Sequence, residues 1–263
     1  MNLLDNENKI IEMFQDVRKD NVYITNRNKN LINVFKCIYN KKRWQHWKNS
    51  SGKSDLPPDY YSDKFRLMMD VMRIDDHAFV DENGKVYNPH NKRESVLRKE
   101  IESKNPNLKK ASLEGRLIIN PITNLSSEED HNYLNYVNNF KRVVEKHIEK
   151  IPIYNKNHEG HKLIFFICDE SSPYFENLDI GFQKSKMAGE VKKGNSHLWW
   201  EDNNMIRILK NTKIDYLIWY TPYKWFESFP KITLPKVVIF DISKIDLLIT
   251  REIDSRKMES LEV

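Results

Sequence analysis

The chain has 263 residues, of which 39% are apolar and 31% charged, and its mean hydropathy is −0.72. That suffices for one large domain, or a core with an appended helical part, and 12 Tyr, 12 Phe and 6 Trp exclude a chain dominated by disorder. A net charge of +5 permits contact with nucleic acid without demanding it, and no apolar run approaches the ~18 residues of a membrane span.

In chain order, Ile10, Ile11, Phe14 and Val17 recur at helical spacing, and Leu31, Ile32, Val34, Phe35 and Ile38 do the same behind a cap at Asn28 or Asn30. The second helix runs into Lys41, Lys42, Arg43, Trp44, Gln45, His46, Trp47 and Lys48. Cations interleaved with two Trp suit phosphate contacts plus base stacking, so Lys41, Lys42, Arg43, Trp44, Trp47 and Lys48 are candidate nucleic-acid-binding residues. The alternative is a helix end with Trp44 and Trp47 packed inward. A polar loop ending at Pro57 and Pro58 suggests a boundary near residue 55, with a helical segment over 1–55 and an α/β domain over 56–263.

From Asp59 a third helix is expected, with Tyr60, Phe65, Leu67, Met68, Val71 and Met72 on its apolar face. A short hairpin about Asn83-Gly84 follows, then a charged helix over 91–104. Residues 116–120 read as a strand. A long helix capped at Ser126 or Ser127 carries Tyr133, Tyr136, Val137, Phe140 and Val144, and Pro152 is expected to stop it. The clearest strand is Leu163 to Cys168, six consecutive apolar residues ending at Asp169 and Glu170. A helix over 201–211, strands at 216–220 and 237–240, and a helical start to the C-terminal segment complete the reading. Strands separated by helices predict an α/β fold: a mixed central sheet flanked by helices, with an N-terminal helical part.

Open α/β sheets place their chemistry beyond the carboxyl ends of their strands, which directs attention to Asp169 and Glu170. Downstream lies Glu190-Val191-Lys192. An Asp ending a strand, a spacer and then Glu-x-Lys resembles the PD-(D/E)XK, restriction-endonuclease-like nuclease superfamily. The resemblance spans about residues 163–192. Cys168 stands where that family usually has Pro, and the strand signal around Glu190 is thin. It implies a metal-dependent endonuclease that hydrolyses DNA phosphodiester bonds with Mg²⁺ or Mn²⁺. Asp169 and Glu190 would hold the ion and Lys192 would orient the attacking water. Asp76 or Glu94 would complete the metal shell, with Glu170 beside Asp169 as a further candidate ligand. Lys224 lies at the same sheet edge as Asp169 if their strands run parallel, and is the reserve catalytic cation.

Type II restriction enzymes are often dimers, so a homodimer is among the expectations. The alternative is a non-catalytic nucleic-acid- or protein-binding module on a degenerate core of this kind. Two cysteines, Cys37 and Cys168, give no disulfide framework and no zinc site, which suits a cytoplasmic protein. Seven glycines form neither a Walker loop nor a dinucleotide fingerprint, and His158-Glu159-Gly160-His161 lacks the spacing of a helical zinc motif.

Overall fold

A computed structural model describes residues 7–25, 28–50, 57–77, 79–80, 85–87, 89–108, 132–177, 194–210, 212–222, 224, 227–228 and 232–260. The fold is α/β, with a seven-stranded mixed sheet at its centre. Its strands are β1 (Val22–Ile24), β2 (Lys48–Asn49), β3 (Tyr60–Ser62), β4 (Leu67–Ile74), β7 (Lys162–Asp169), β10 (Tyr216–Tyr220) and β13 (Val237–Asp241). Between them in the chain come β5 (Phe79–Val80) and β6 (Val86–Tyr87), which form a separate hairpin, β8 (Tyr174–Asn177) and β9 (Gly194–Ser196), and the pair β11 (Glu227–Ser228) and β12 (Ile232–Thr233). The spatial order of the sheet is β1-β13-β10-β7-β4-β3-β2. Strands β4, β7 and β10 are adjacent and parallel, so their carboxyl ends share one rim.

Helices cover both faces. On one lie α1 (Glu7–Gln15) and α2 (Lys29–Tyr39), followed by the single turn α3 (Lys41–Trp44). The charged helix α4 (Pro89–Lys104) follows the small hairpin. On the opposite face lie α5 (Tyr133–Ile148), α6 (Ile151–Asn157) and α7 (Asn203–Leu209). The period of two along each central strand divides the core between these layers. Leu163, Phe165 and Ile167 face α5, while Ile164, Phe166 and Cys168 face α1 and α2. Continuing that alternation, Asp169 falls on the α5 side.

The segment expected as a third helix is instead the antiparallel hairpin β3–β4. Leu and Met favour helices, and the apolar positions also match a helical stripe. The run from Leu67 to Met72 is buried on both faces, however, with Met68 and Met72 against one helical layer and Leu67, Met69 and Val71 against the other. Arg66, at φ 54°, occupies the left-handed region at the turn. The 1–55 segment carries β1 and β2 as well as helices, and both strands belong to the central sheet.

Pro152 does not simply stop the long helix. It sits in the first turn of α6, where a missing N–H costs nothing. The N-cap of α5 is Asn132, whose side chain accepts from the backbone N–H groups of Leu134 and Asn135. The C-terminal segment begins as a 3₁₀ helix over Ile242–Leu247 and ends in β14 (Met258–Ser260), which pairs with β8. The expected strand at 116–120 lies outside the described residues. Among the described residues, no helix is long and apolar enough to cross a membrane.

Candidate functional site

The shared rim gathers polar side chains from several elements. Asp169, 1% exposed, ends β7. Its Oδ2 accepts from Tyr136 Oη on α5 (2.8 Å), Trp219 Nε1 on β10 (3.0 Å) and Lys224 Nζ (2.7 Å). Its Oδ1 accepts from the N–H (3.0 Å) and Oγ (2.6 Å) of Ser171. The parallel pairing of β7 with β10 delivers Lys224 to this spot, since the chain leaves β10 at the same rim. The Lys224 ammonium also lies 4.7 Å from the centre of the Tyr136 ring. Burial, followed by the neighbouring Asp169 carboxylate, drives the Tyr136 phenol well above its ordinary range.

Beside this pair lies a second linked set. His197 Nε2 is 2.9 Å from Oδ2 of Asp202, which also accepts from Tyr133 Oη at 2.5 Å. Asp202 caps α7 through Asn204 N–H at 2.9 Å. Burial opposes its charge, but the hydrogen bond and charge of His197, with further donation from Tyr133, hold the carboxyl below its usual range. The imidazole of His197 stands edge-on to Tyr133 and Tyr136, which joins the two sets.

Asp76, after β4, is fully buried, and its Oδ2 accepts from Ser172 N–H (3.0 Å), Ser172 Oγ (2.5 Å) and Tyr174 Oη (2.6 Å). Glu170 is clasped by Arg73 Nε (2.5 Å) and a second guanidinium nitrogen (2.9 Å), although burial still raises its carboxyl above the usual range.

These contacts decide how well the rim suits a divalent ion. Both oxygens of Asp169 already hold donors, one of them an ammonium, and Glu170 is occupied by a guanidinium. Among the described residues, no group of three His, Cys, Asp or Glu is arranged to hold a metal. The described residues, as placed, do not fit Mg²⁺ or Mn²⁺. Glu190 and Lys192 lie outside the described residues. Glu94 lies on α4, and its side chain is likewise outside them. Lys224, the reserve cation, is the one in contact with Asp169.

The aromatic-basic run divides. Trp44 and Trp47 stack on each other at 5.3 Å, Trp44 packs on Tyr60, and Trp47 is buried with its indole N–H on Cys37 O. Trp47 thus belongs to the core, and Trp44 is half-buried against it. Lys48 pairs with Asp63 at 2.9 Å. Lys41, Lys42 and Arg43 instead line a groove of about 870 Å³ together with Lys19, Lys36 and Tyr23. No acid is among the lining residues, and Tyr23 is 57% exposed. Lys41 is shared with Asp16 at 2.9 Å in an exposed pair, and Arg43 with Asn33. Lys19, Lys36 and Lys42 make no ion pair with any described acid.

The Val22 end of this groove lies level with the same rim. Cys168, Tyr220, Val237 and Val22 are successive partners across β7, β10, β13 and β1. Three strand spacings of ~4.8 Å therefore separate the end of β7 from the start of β1, roughly 14 Å.

Sequence reasoning missed Tyr136, His197, Asp202 and Trp219 as site residues. Tyr136 was legible only as one member of an apolar stripe, and His197 as a lone histidine. The signal for Trp219 was available, because a strand parallel to β7 places its alternate residues on the Asp169 side. No protein family, curated protein or solved structure shows significant similarity to this chain.

Proposed function

We propose that the protein binds nucleic acid, DNA in the first instance, across this rim. The basic groove would hold the backbone and Lys224 would meet a phosphate beside Asp169. The observation that carries the reading is a cationic groove with no acid among its lining residues, on the α2 side of the sheet edge, whose β1 end starts three strands from the end of β7. A polymeric anion is the ligand class long enough to reach both the groove and Lys224 around the sheet edge. Lys224 is positioned for the task by Asp169 and by the ring of Tyr136 beneath it. Endonucleolytic hydrolysis of the phosphodiester is the catalytic form of this proposal, with Glu190 and Lys192 as its further residues. The occupied Asp169 carboxylate favours a second form, a non-catalytic binding module. Free, buried Cys37 and Cys168 support a cytoplasmic setting for either.

Fluorescence anisotropy with a labelled 20-mer DNA duplex tests the binding. Reversing Lys19, Lys36 and Lys42 to Glu together is expected to weaken binding at least about tenfold at 0.1 M salt, and to flatten the salt dependence. Unchanged affinity in the triple variant would remove the groove from the proposal. Incubating supercoiled plasmid with Mg²⁺, with Mn²⁺ or with EDTA separates the two forms. Metal-dependent nicking supports the endonuclease, and binding without nicking supports the module.

A further inference from the structure

Next to the Lys224–Asp169 pair is a small pocket walled by Trp199, Trp200 and Trp219, with Lys224, His197 and Thr221 on its polar side. Its free interior is about 40 Å³. A water needs roughly 10–15 Å³ on this scale, so the space takes about three water-sized atoms, which is the edge of a planar ring and not a whole nucleotide. Trp199 and Trp219 are stacked at 4.6 Å and 11°, and Trp200 stands across Trp199 at 87°. Trp219 spends its N–H on Asp169. Trp199 does not: it is 5% exposed, and its buried Nε1 finds no hydrogen-bond acceptor among the described residues. A buried indole N–H left unpaired carries a desolvation cost, and such groups in native proteins call for a partner.

We infer that this pocket is a nucleobase subsite. The edge of one unstacked base enters it, and a ring carbonyl oxygen accepts from Trp199 Nε1 while Trp200 covers the base at the mouth. The inference rests on the nucleic-acid reading above and adds to it that the site engages a base as well as phosphate. Aromatic walls beside a buried, unpaired indole N–H suit a heteroaromatic ring bearing an acceptor, with Lys224 at the polar side left for the adjoining phosphate. The ligand class is therefore a single-stranded or flipped nucleotide carrying a carbonyl base, such as thymine.

The test compares a fluorescein-labelled thymidine dodecamer with an abasic dodecamer of the same length, at one salt concentration. The wild-type protein is expected to bind the thymidine strand about tenfold or more tightly than the abasic one. Trp199→Phe keeps the ring but removes the donor, and should lose about five- to tenfold on the thymidine strand and nothing on the abasic strand. Intrinsic fluorescence reads the wild-type protein without any substitution. Three of the six tryptophans line the pocket, so the thymidine strand should quench emission and the abasic strand should not. Equal affinity and equal quenching for the two strands would overturn the subsite while leaving groove binding standing. Failure of both strands to bind the wild-type protein would overturn the nucleic-acid reading itself.

Discussion

Asp169→Ala is expected to lower folding stability by roughly 3–5 kcal/mol, the cost of removing one member of a buried ion pair. The carboxylate is 1% exposed and is the common acceptor for Tyr136, Trp219, Ser171 and Lys224. Truncation leaves an ammonium, an indole N–H and a phenol without their acceptor at the end of the central strand. Adding Lys224→Met should recover part of the loss, because the orphaned charge is then gone. Urea melts of the two single variants and the double variant check this. Additive losses would show that Asp169 and Lys224 are energetically independent despite their 2.7 Å contact. The result also bears on Asp169→Asn, the obvious test of a catalytic carboxylate. An amide there presents N–H groups to donors, so a fall in any activity has to be compared at equal folded fraction.

A second large effect is expected at the β3–β4 hairpin. Asp59 accepts from Val71 N–H at 2.8 Å, and its carboxyl is pushed up to about 8 by burial, then by the charge of Asp70, with which it shares a hydrogen bond. Asp70 is also held by His147 Nδ1 and by Tyr154 Oη, the latter at 2.9 Å, and Glu7 adds negative charge from the N-terminal side. The folded protein therefore keeps a proton on Asp59 between about pH 4 and pH 8, where the unfolded chain has released it. Stability from this group is fully present below about pH 4 and is lost as pH rises through about 8, because the native state binds the extra proton. Allowing for partial exposure, the swing is roughly 3 kcal/mol. Asp59→Asn should remove this slope, since the amide still accepts from Val71 and can donate to Asp70, and should be the more stable protein at pH 8. Urea melts at pH 5, 6.5 and 8 distinguish the cases, and parallel pH profiles for the two proteins would refute the proton-sharing pair.

The fold was legible in the sequence where burial and propensity agree. Leu163 to Cys168, Tyr216 to Tyr220 and Val237 to Phe240 are compact β-favouring runs, and each is a strand of the central sheet. The stripes of α1 and α2 were equally clear. Reading failed at Leu67 to Met72, where helix-favouring Met and Leu fill a strand buried on both faces, because periodicity cannot separate that case from a buried helix. It failed again at Pro152, which is compatible with either the end of one helix or the first turn of the next.

The site was legible at Asp169, Glu170, Asp76 and Lys224, because topology alone places residues that follow parallel strands at one rim. The partners of Asp169 come from α5, from β10 and from Ser171, and nothing local to Tyr136, His197 or Trp199 announces that they meet. The same holds for the groove. The cluster Lys41, Lys42 and Arg43 is plain in the sequence, but the addition of Lys19 and Lys36, and the withdrawal of Trp47 into the core with Trp44 packed against it, follow from tertiary packing.

Hydrogen exchange of backbone amides, with and without a saturating DNA 20-mer, reads the rim most directly. Protection is expected in two separated stretches at once: Lys19 to Ile24 with Lys36 to Arg43, and the strand-end segment around Asp169 to Tyr174 and Thr221 to Lys224. Protection confined to the opposite rim, around Asp215 and Asp241 to Asp246, or no protection in either stretch, would contradict a polymeric anion lying across the groove and the Lys224–Asp169 pair.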